Sequence, residues 1–168
     1  MIKNKYEIIN NFCDEKIFNE FKDVAFSENI SWFYRARLAG DNNKSYWTHC
    51  LFNDYKIDSS LFHSSFIQFV LDKLNIASLV QIRLNLTLKS LIPIGSNFHN
   101  DYFFPNCKTA IIYLNTCNGK TIIKTKKEIE IKSEENKALI FDTNILHKVV
   151  SQTDVDRRII LNINYFKK

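Results

Sequence analysis

From residue 79 to residue 166 the chain is a succession of short apolar runs separated by turn-forming residues, and this pattern constrains its fold most. Such runs, rich in Ile, Val, Leu, Thr and aromatic residues, are typical of β-strands. Eight strands suit a jelly roll, in which two facing sheets form a funnel that can hold a metal and a small ligand. The predicted strands are residues 79–88, 97–102, 109–114, 121–124, 128–131, 138–141, 147–150 and 158–166.

The part before residue 79 has a helical pattern instead. Residues 14–26 carry apolar side chains at helical spacing, with Asp14 as the expected N-cap. A second helix is predicted from Ser59 or Ser60 to residue 74, again with a serine cap. We therefore expect an α+β protein, a double-stranded β-helix (jelly roll, cupin-like) whose N-terminal helices pack on the outside of one sheet.

Between the two predicted helices lies an aromatic segment, residues 31–56, with no clear periodicity. It is long enough to cover a cavity, and Trp47 is our candidate in it for a residue at the substrate entrance. We expect one domain over residues 1–168, with a helical and lid-forming part (1–78) and a jelly-roll core (79–168).

Composition excludes several other classes. No apolar stretch approaches membrane-spanning length, and the first residues lack the apolar region of a signal peptide, so a cytoplasmic protein is expected. The net charge of +5 comes mostly from Lys, which is weak support for nucleic-acid binding. The 4 cysteines form no CxxC pair, which favours free thiols over disulfides or a zinc site.

Three residues have the types and order of a metal site. His99 and Asp101 are two residues apart, so in a strand both side chains leave the same face. His147 follows a later apolar strand after a short turn. Two imidazoles and one carboxylate form the facial set that binds non-haem Fe(II) and leaves positions open for a co-substrate and O2. A His-x-Asp tripeptide alone is a weak motif, so the downstream residues carry much of the case.

Two arginines open the last predicted strand, Arg157 and Arg158. An anionic co-substrate inside a dry barrel needs a permanent cation, and the planar guanidinium can bind a carboxylate through two hydrogen bonds. If Arg158 points inward, so do Ile160, Asn162 and Asn164, while the intervening apolar residues pack outward. If Arg157 points inward instead, the intervening apolar residues face the inside of the barrel and the two asparagines face outward. We prefer Arg158 and keep Arg157 as the alternative.

Five segments of residues 79–166 form a recognisable set of motifs. They are Phe98-His99-Asn100-Asp101, the segment Lys108-Thr-Ala-Ile-Ile-Tyr-Leu-Asn115, the turn Asn118-Gly119-Lys120-Thr121, the segment Phe141-Asp-Thr-Asn-Ile-Leu-His147 and the last strand from Arg158 to Phe166. With these motifs, residues 79–166 resemble the 2-oxoglutarate and Fe(II)-dependent oxygenase superfamily, in particular its prolyl-hydroxylase-like and small phage-encoded branches. Lys120 departs from the family pattern, because a second Gly is common at that position.

The resemblance implies a co-substrate site beside the metal. 2-Oxoglutarate would bind Fe(II) through its keto acid end and Arg158 through its distal carboxylate, and it would be converted to succinate as O2 is consumed. Thr109 and Tyr113 would line the pocket from one strand, and Asn85, less firmly Arg83, from another. Related halogenases lack the carboxylate of the metal set, so Asp101 favours hydroxylation.

The substrate is not fixed by these motifs. A peptidyl residue such as proline is the leading candidate, because the Tyr113-Leu-Asn segment is closest to prolyl hydroxylases, and a small metabolite is the next. Nucleobase dealkylation is disfavoured, since the resembled dealkylases carry a second Arg where this chain has Asn164. Arg83, Trp47 and Asn164 are the candidate substrate contacts. A cupin-like module that holds metal without turnover is the alternative of a different class.

Overall fold

A computed structural model describes residues 6–37 and 45–168 of the chain. Two helices, α1 and α2, and one 3-10 turn precede the long strands; they are Glu15–Phe26 (α1), Ser60–His63 (the 3-10 turn) and Ser65–Lys73 (α2). The strands are Tyr6–Ile9 (β1), Phe33–Arg35 (β2), Tyr46–Asn53 (β3), Lys56–Ile57 (β4), Ile76–Leu88 (β5), Cys107–Tyr113 (β6), Lys120–Lys124 (β7), Glu128–Lys132 (β8), Lys137–Asp142 (β9), His147–Val150 (β10) and Arg157–Lys167 (β11).

The strands form two antiparallel sheets. The major sheet has the order β1-β9-β6-β11-β5-β3-β2, with β4 paired to β3, and the minor sheet has the order β10-β7-β8. Ile123 and Ile131 of the minor sheet pack in one apolar cluster with Ile111, Leu139 and Ile160 of the major sheet. The two sheets therefore face each other, as a double-stranded β-helix requires.

The helices cover the outer face of the major sheet. Phe18 and Phe21 of α1 and Phe66 of α2 belong to the same buried cluster as Leu84 and Leu161 of the central strands. The predicted first helix is confirmed, and its cap is Asp14, whose Oδ1 accepts hydrogen bonds from the backbone N–H groups of Lys16 and Ile17. No helix in the described ranges combines the length and the apolar character needed to cross a membrane.

The region before residue 79 contains more β-structure than the sequence analysis predicted. The second helix is interrupted at Ser64, which has extended backbone angles and caps α2 by accepting from the N–H of Ile67. The aromatic segment is not irregular over its described parts, because it forms β2, β3 and β4, while residues 38–44 of it lie outside the described residues. Aromatic and β-branched residues favour strands. Tyr46–Asn53 is rich in such residues and forms a strand, although its polar and apolar residues alternate only weakly.

The predicted strand over residues 97–102 is wrong as an extended element. Only His99 pairs, in a single bridge with His147, in which each backbone N–H donates to the other residue's carbonyl at 2.9 Å. Gly95 makes a second isolated bridge, to Val150. The chain thus touches the open edge of β10 at two points and then bends away, which leaves Asp101 outside any strand.

Candidate metal centre

Three potential ligand side chains meet between the two sheets. His147 begins β10 and is 4% exposed, and its pairing with His99 brings the two imidazole rings to a centroid distance of 4.3 Å. The Oδ1 atom of Asp101 lies 3.6 Å from Nε2 of His147 and 3.8 Å from Nε2 of His99. All three donor atoms lie within 4.8 Å of one another. The group predicted from sequence is therefore assembled, although by a bridge and a bend rather than by a continuous strand.

Both imidazoles are oriented by their own backbone. Nδ1 of His99 lies 3.3 Å from the carbonyl of Asn97, and Nδ1 of His147 lies 3.3 Å from the carbonyl of Ile145. A proton on each Nδ1 satisfies these carbonyls and leaves each Nε2 lone pair directed at the shared space. Burial lowers the pKa of His147, despite the opposing effect of Asp101, and so favours the neutral imidazole that can bind a metal.

The second oxygen of Asp101 is held from behind by two amides of β11. The side-chain Nδ2 atoms of Asn162 and Asn164 each donate to Oδ2 at 3.2 Å, and Asn164 also donates to Asn162 Oδ1 at 3.0 Å. The hydroxyl of Thr109 lies 3.2 Å from Asn164 Oδ1 and 2.9 Å from the hydroxyl of Thr143. This buried network fixes the carboxylate group of Asp101 and leaves its Oδ1 atom available to a metal ion.

The network corrects two expectations. Thr109 was expected to line a co-substrate pocket and Asn164 to contact substrate, but both are 0% exposed and contact each other behind Asp101. The strand alternation was assigned correctly, since both residues do face inward. Their part of the inner face is filled by the polar network, and neither residue is exposed to the space beside the triad.

A cavity of about 250 Å³ adjoins the three side chains. It lies between β5 and β11 on one side and β7 and β10 on the other. Its polar wall, besides the triad, includes Arg83, Asn85, Thr87, Thr121, Lys148, Arg158 and Asn162. A pocket of this size and lining can accept a small charged molecule next to a metal ion.

Arg158 closes one end of the cavity and is 2% exposed. Its hydrogen bond to the Thr121 hydroxyl is long, 3.4 Å, and its guanidinium lies 5.6 Å from the centre of the Tyr113 ring. A Cβ atom on Gly119 would lie 3.0 Å from Cδ of Arg158 and 3.2 Å from the backbone nitrogen of Gln152, so glycine at this position leaves room for the arginine side chain. Arg157 points the other way and donates to the carbonyl of Phe26 at 3.2 Å. The preferred inward orientation of Arg158 is thus the observed one.

Four buried polar atoms have no hydrogen-bond partner in the described part of the chain: Nε of Arg83, Oδ1 of Asn85, the hydroxyl of Tyr113 and Nε of Arg158. Each belongs to a residue that lines the cavity or touches Arg158. Burial raises the pKa of Tyr113 to about 12, so its hydroxyl stays protonated and can donate a hydrogen bond. Because unpartnered buried polar groups are costly and rare in proteins, their concentration here fits a cavity that binds a polar ligand.

The remaining residues that the sequence analysis predicted near the site fall into two groups, those that line the cavity and those that do not. Arg83 and Asn85 lie on the cavity wall, as expected. Trp47 does not: it packs with the outer cluster, and its neighbour Tyr46 lines the cavity instead. The sequence analysis also missed Thr121 as a partner of Arg158. Strict alternation along β3, once that strand is recognised, would have identified Tyr46.

His49 and His63 lie away from this site. The ring nitrogens of His49 lie 2.8 Å from the carbonyl of Ser31 and 2.8 Å from the hydroxyl of Ser59, so it joins the aromatic segment to the 3-10 turn. The His63 ring packs edge-on against Phe62. Both histidines thus have local structural contacts outside the triad.

No protein-family model and no curated protein sequence matches the chain. Solved structures do match in fold. A prolyl hydroxylase from Trichoplax adhaerens, in complex with a peptide fragment of the hypoxia inducible factor oxygen degradation domain, is 18% identical with a TM-score of 0.69, covering 98% of this chain and 84% of that chain. An oxidoreductase of the 2OG-Fe(II) oxygenase family from Burkholderia pseudomallei is 10% identical with a TM-score of 0.72, covering 99% and 87%.

A third similar structure is the non-heme alpha ketoglutarate dependent epimerase SnoN from nogalamycin biosynthesis, at 11% identity and a TM-score of 0.68, covering 97% of this chain and 78% of that chain. At identities this low, the TM-scores establish a shared fold and nothing beyond it. The matches cover nearly all of this chain, so the shared fold includes both sheets and the helices. The chain has the α+β double-stranded β-helix fold of the 2-oxoglutarate and Fe(II)-dependent oxygenases.

Proposed function

We propose that the protein is a non-haem Fe(II) and 2-oxoglutarate-dependent dioxygenase that hydroxylates a C–H bond. The observation that carries the proposal is the cavity itself. It has a two-His, one-Asp set beside one part of it and, at one end, a buried arginine that forms an ion pair with no carboxylate of the described residues. A metal chelated by a dicarboxylate would satisfy both at once.

The donor set fits Fe(II). Two imidazole nitrogens and one carboxylate oxygen on one side of an ion leave the opposite positions open, which is the arrangement used by Fe(II) oxygenases. Ligands on one face of an ion stand about 90° apart, so bonds of about 2.1 Å place their donor atoms about 3.0 Å from one another. Oδ1 of Asp101 lies 3.6 and 3.8 Å from the two histidine nitrogens, so the triad would close around an ion as it binds.

The other end of the cavity fits the distal carboxylate of 2-oxoglutarate. The guanidinium of Arg158 supplies charge and two parallel donors, and Thr121 and Tyr113 add hydroxyl groups beside it. Within the described residues, the ion pairs involve Lys and His cations and leave Arg158 without a counter-ion. A bound dicarboxylate would repay the desolvation of this buried charge.

Iron and oxoglutarate, when bound, supply the activation of O2 and the oxidation of the substrate. The protein residues hold and orient these groups. His99, Asp101 and His147 would fix the metal on one face, and Asn162 and Asn164 hold the Asp101 carboxylate in position. Because Asp101 would occupy the ligand position that halogenases leave free for chloride, hydroxylation is the reaction we favour.

The substrate we place first is a peptidyl residue such as proline. The similarity to a prolyl hydroxylase solved with a peptide supports it. Oxidation of a small metabolite is the second candidate, supported by the same fold in an alpha ketoglutarate dependent epimerase of a biosynthetic pathway. A metal-binding module without turnover is the remaining alternative, and it is separated from both by the assay below.

The test is conversion of 2-oxoglutarate to succinate by the purified protein with Fe(II) and O2, followed by a mass gain of one oxygen in peptide and metabolite pools. We expect succinate formation that requires iron and disappears in His147→Ala. His63→Ala is the matched control, because that histidine is exposed and distant from the triad. Iron binding without any succinate would favour the non-catalytic module and contradict the proposal.

A further inference from the structure

A second arginine faces the cavity and has no assigned partner. Arg83 lies in β5 and lines the cavity, and its Nε is buried without a hydrogen-bond partner among the described residues. The ion pairs in this part of the chain do not include it. Burying even one guanidinium N–H without a partner is costly, although the Arg83 side chain as a whole is only half-buried, so this residue needs a separate explanation.

The strand register places Arg83 at the metal end of the cavity. It pairs with Asn162 of β11, the residue that donates to the Asp101 carboxylate. Thr87, on the same face of β5, pairs with Arg158. Four residues along a strand span about 13 Å, so Arg83 and Arg158 stand at different ends of the cavity. A dicarboxylate anchored on Arg158 would therefore leave Arg83 without an anion.

The charges of the cavity lead to the same conclusion. Its lining contains three cations, Arg83, Lys148 and Arg158, against the single carboxylate of Asp101. The two positive charges of the metal and the two negative charges of oxoglutarate cancel, and Lys148 lies 3.6 Å from Glu128. With metal and co-substrate in place, Arg83 would remain the uncompensated cation next to the reacting centre.

We propose that Arg83 binds a carboxylate of the substrate and so selects for anionic substrates. This inference rests on the proposed function and adds a substrate class to it. A guanidinium and a carboxylate match in planar, two-bond geometry. A phosphate group fits less well, because phosphate sites usually add helix N-termini or glycine-rich loops, and β5 supplies neither.

The carboxylate could come from two sources. It could be the free acid group of a small molecule, with the reacting C–H bond a few atoms away. It could also be the side chain of an acidic residue in a peptide, next to the residue that is oxidised. Both sources require the same contact with Arg83, and they are distinguished by the choice of probe.

The experiment uses the full chain loaded anaerobically with Mn(II) and oxoglutarate, because paramagnetic Mn(II) relaxes the NMR signals of any probe bound nearby. One probe pair is N-acetylproline and its amide, which differ in a free carboxylate. The other pair is the blocked dipeptides acetyl-Glu-Pro-amide and acetyl-Gln-Pro-amide. We compare wild type, Arg83→Gln and Arg83→Lys, with Arg157→Gln as the matched control, because that arginine faces outward to Phe26.

In wild type we expect the acid of at least one pair to bind about tenfold or more tightly than its uncharged partner. Arg83→Gln should abolish this preference, Arg83→Lys should keep part of it, and Arg157→Gln should keep all of it. The pair that shows the preference identifies the source of the carboxylate. Binding of Mn(II) and oxoglutarate, measured first, should be unchanged in Arg83→Gln.

Three results would overturn the inference. One is equal binding, or equal lack of binding, of acid and uncharged probes to wild type. Another is a preference that persists in Arg83→Gln. The last is a loss of oxoglutarate binding in Arg83→Gln, which would assign this arginine to the co-substrate. If wild type binds neither Mn(II) nor oxoglutarate, the proposed function itself fails, and this inference fails with it.

Discussion

The two faces of the central strand β11 are buried alike but differ in the chemistry of their side chains. On the outer face Ile159, Leu161 and Ile163 are each 0% exposed and pack against the helices. On the inner face Arg158, Asn162 and Asn164 are 2, 4 and 0% exposed, yet they are polar or charged. Since burying polar groups is unfavourable unless they are paired, the inner face must be satisfied by its own network or by a ligand.

This difference indicates that the outer face mainly stabilises the fold, whereas the inner face is the one suited to bind a ligand. The outer face gains free energy from apolar burial and needs no partner beyond the helices. The inner face is satisfied around Asp101 but incomplete around Arg158 and Arg83. Substitutions on the two faces should therefore have separable effects, one on unfolding and the other on binding.

The largest effect is expected from the outer face. Leu161→Ala should lower the free energy of unfolding by about 2–5 kcal/mol, because it leaves a cavity in the main apolar cluster. Denaturant titration measures this loss, and Leu161→Ile, which keeps the volume, should cost less than about 1.5 kcal/mol. Metal affinity of the folded fraction should not change. A loss of metal binding at unchanged stability would contradict the separation of the faces.

Arg158→Met should have the opposite profile. Oxoglutarate affinity should fall by about 2–5 kcal/mol, hence at least about tenfold, because a charged partner is removed from the ligand. The apo protein should be as stable as wild type or more so, since a buried charge without a counter-ion is replaced by an apolar chain. Calorimetry and thermal melting test the two halves. If Arg157→Met loses oxoglutarate instead, the other arginine is the anchor.

The polar network gives an intermediate effect. Asn164→Ala removes one of the two amides on Asp101, and such supporting contacts are worth about 10- to 100-fold in metal affinity. Anaerobic metal titration measures the change, with exposed Asn29→Ala as the control. Metal affinity within twofold of wild type would mean that the network holds the fold together and does not tune the ligand.

The smallest difference is expected between neighbours in β3. Trp47 packs with the outer cluster, so Trp47→Ala should lower stability by about 1–2 kcal/mol. Tyr46 lines the cavity, so Tyr46→Ala should change stability by less than about 1 kcal/mol and alter turnover instead. Melting curves and succinate assays on both variants distinguish the faces. A stable Trp47→Ala with uncoupled turnover would restore Trp47 as an entrance residue.

Much of this arrangement could be predicted from the sequence because period-two alternation is a local property. Short apolar runs indicated the jelly roll, helical spacing indicated the first helix, and alternation along the last strand indicated the inward face of Arg158; these predictions are confirmed as structure. The grouping of His99, Asp101 and His147 also followed from the order of residue types. Their roles as metal ligands, and that of Arg158 as an anchor, stay predictions.

The errors arise where tertiary contacts override local pattern. Residues 97–102 were predicted as a strand, but beyond the bridge at His99 no neighbouring strand pairs with them in the described structure. Thr109 and Asn164 face inward as alternation requires, yet whether such a residue meets a ligand or another side chain depends on partners distant in sequence. Trp47 was expected at the substrate entrance before β3 was recognised, and in β3 it packs with the outer cluster while Tyr46 lines the cavity.

The most direct test of the central claim is an anaerobic titration of the apo protein with Fe(II) and then oxoglutarate, followed by visible absorption. The claim is that the inner face binds both in one cavity. It predicts one Fe(II) per chain and, on adding oxoglutarate, a metal-to-ligand charge-transfer band that requires chelation of iron by the keto acid. The band should be absent in His147→Ala. Stoichiometric iron with no such band at saturating oxoglutarate, or a band that persists in His147→Ala, would contradict the account.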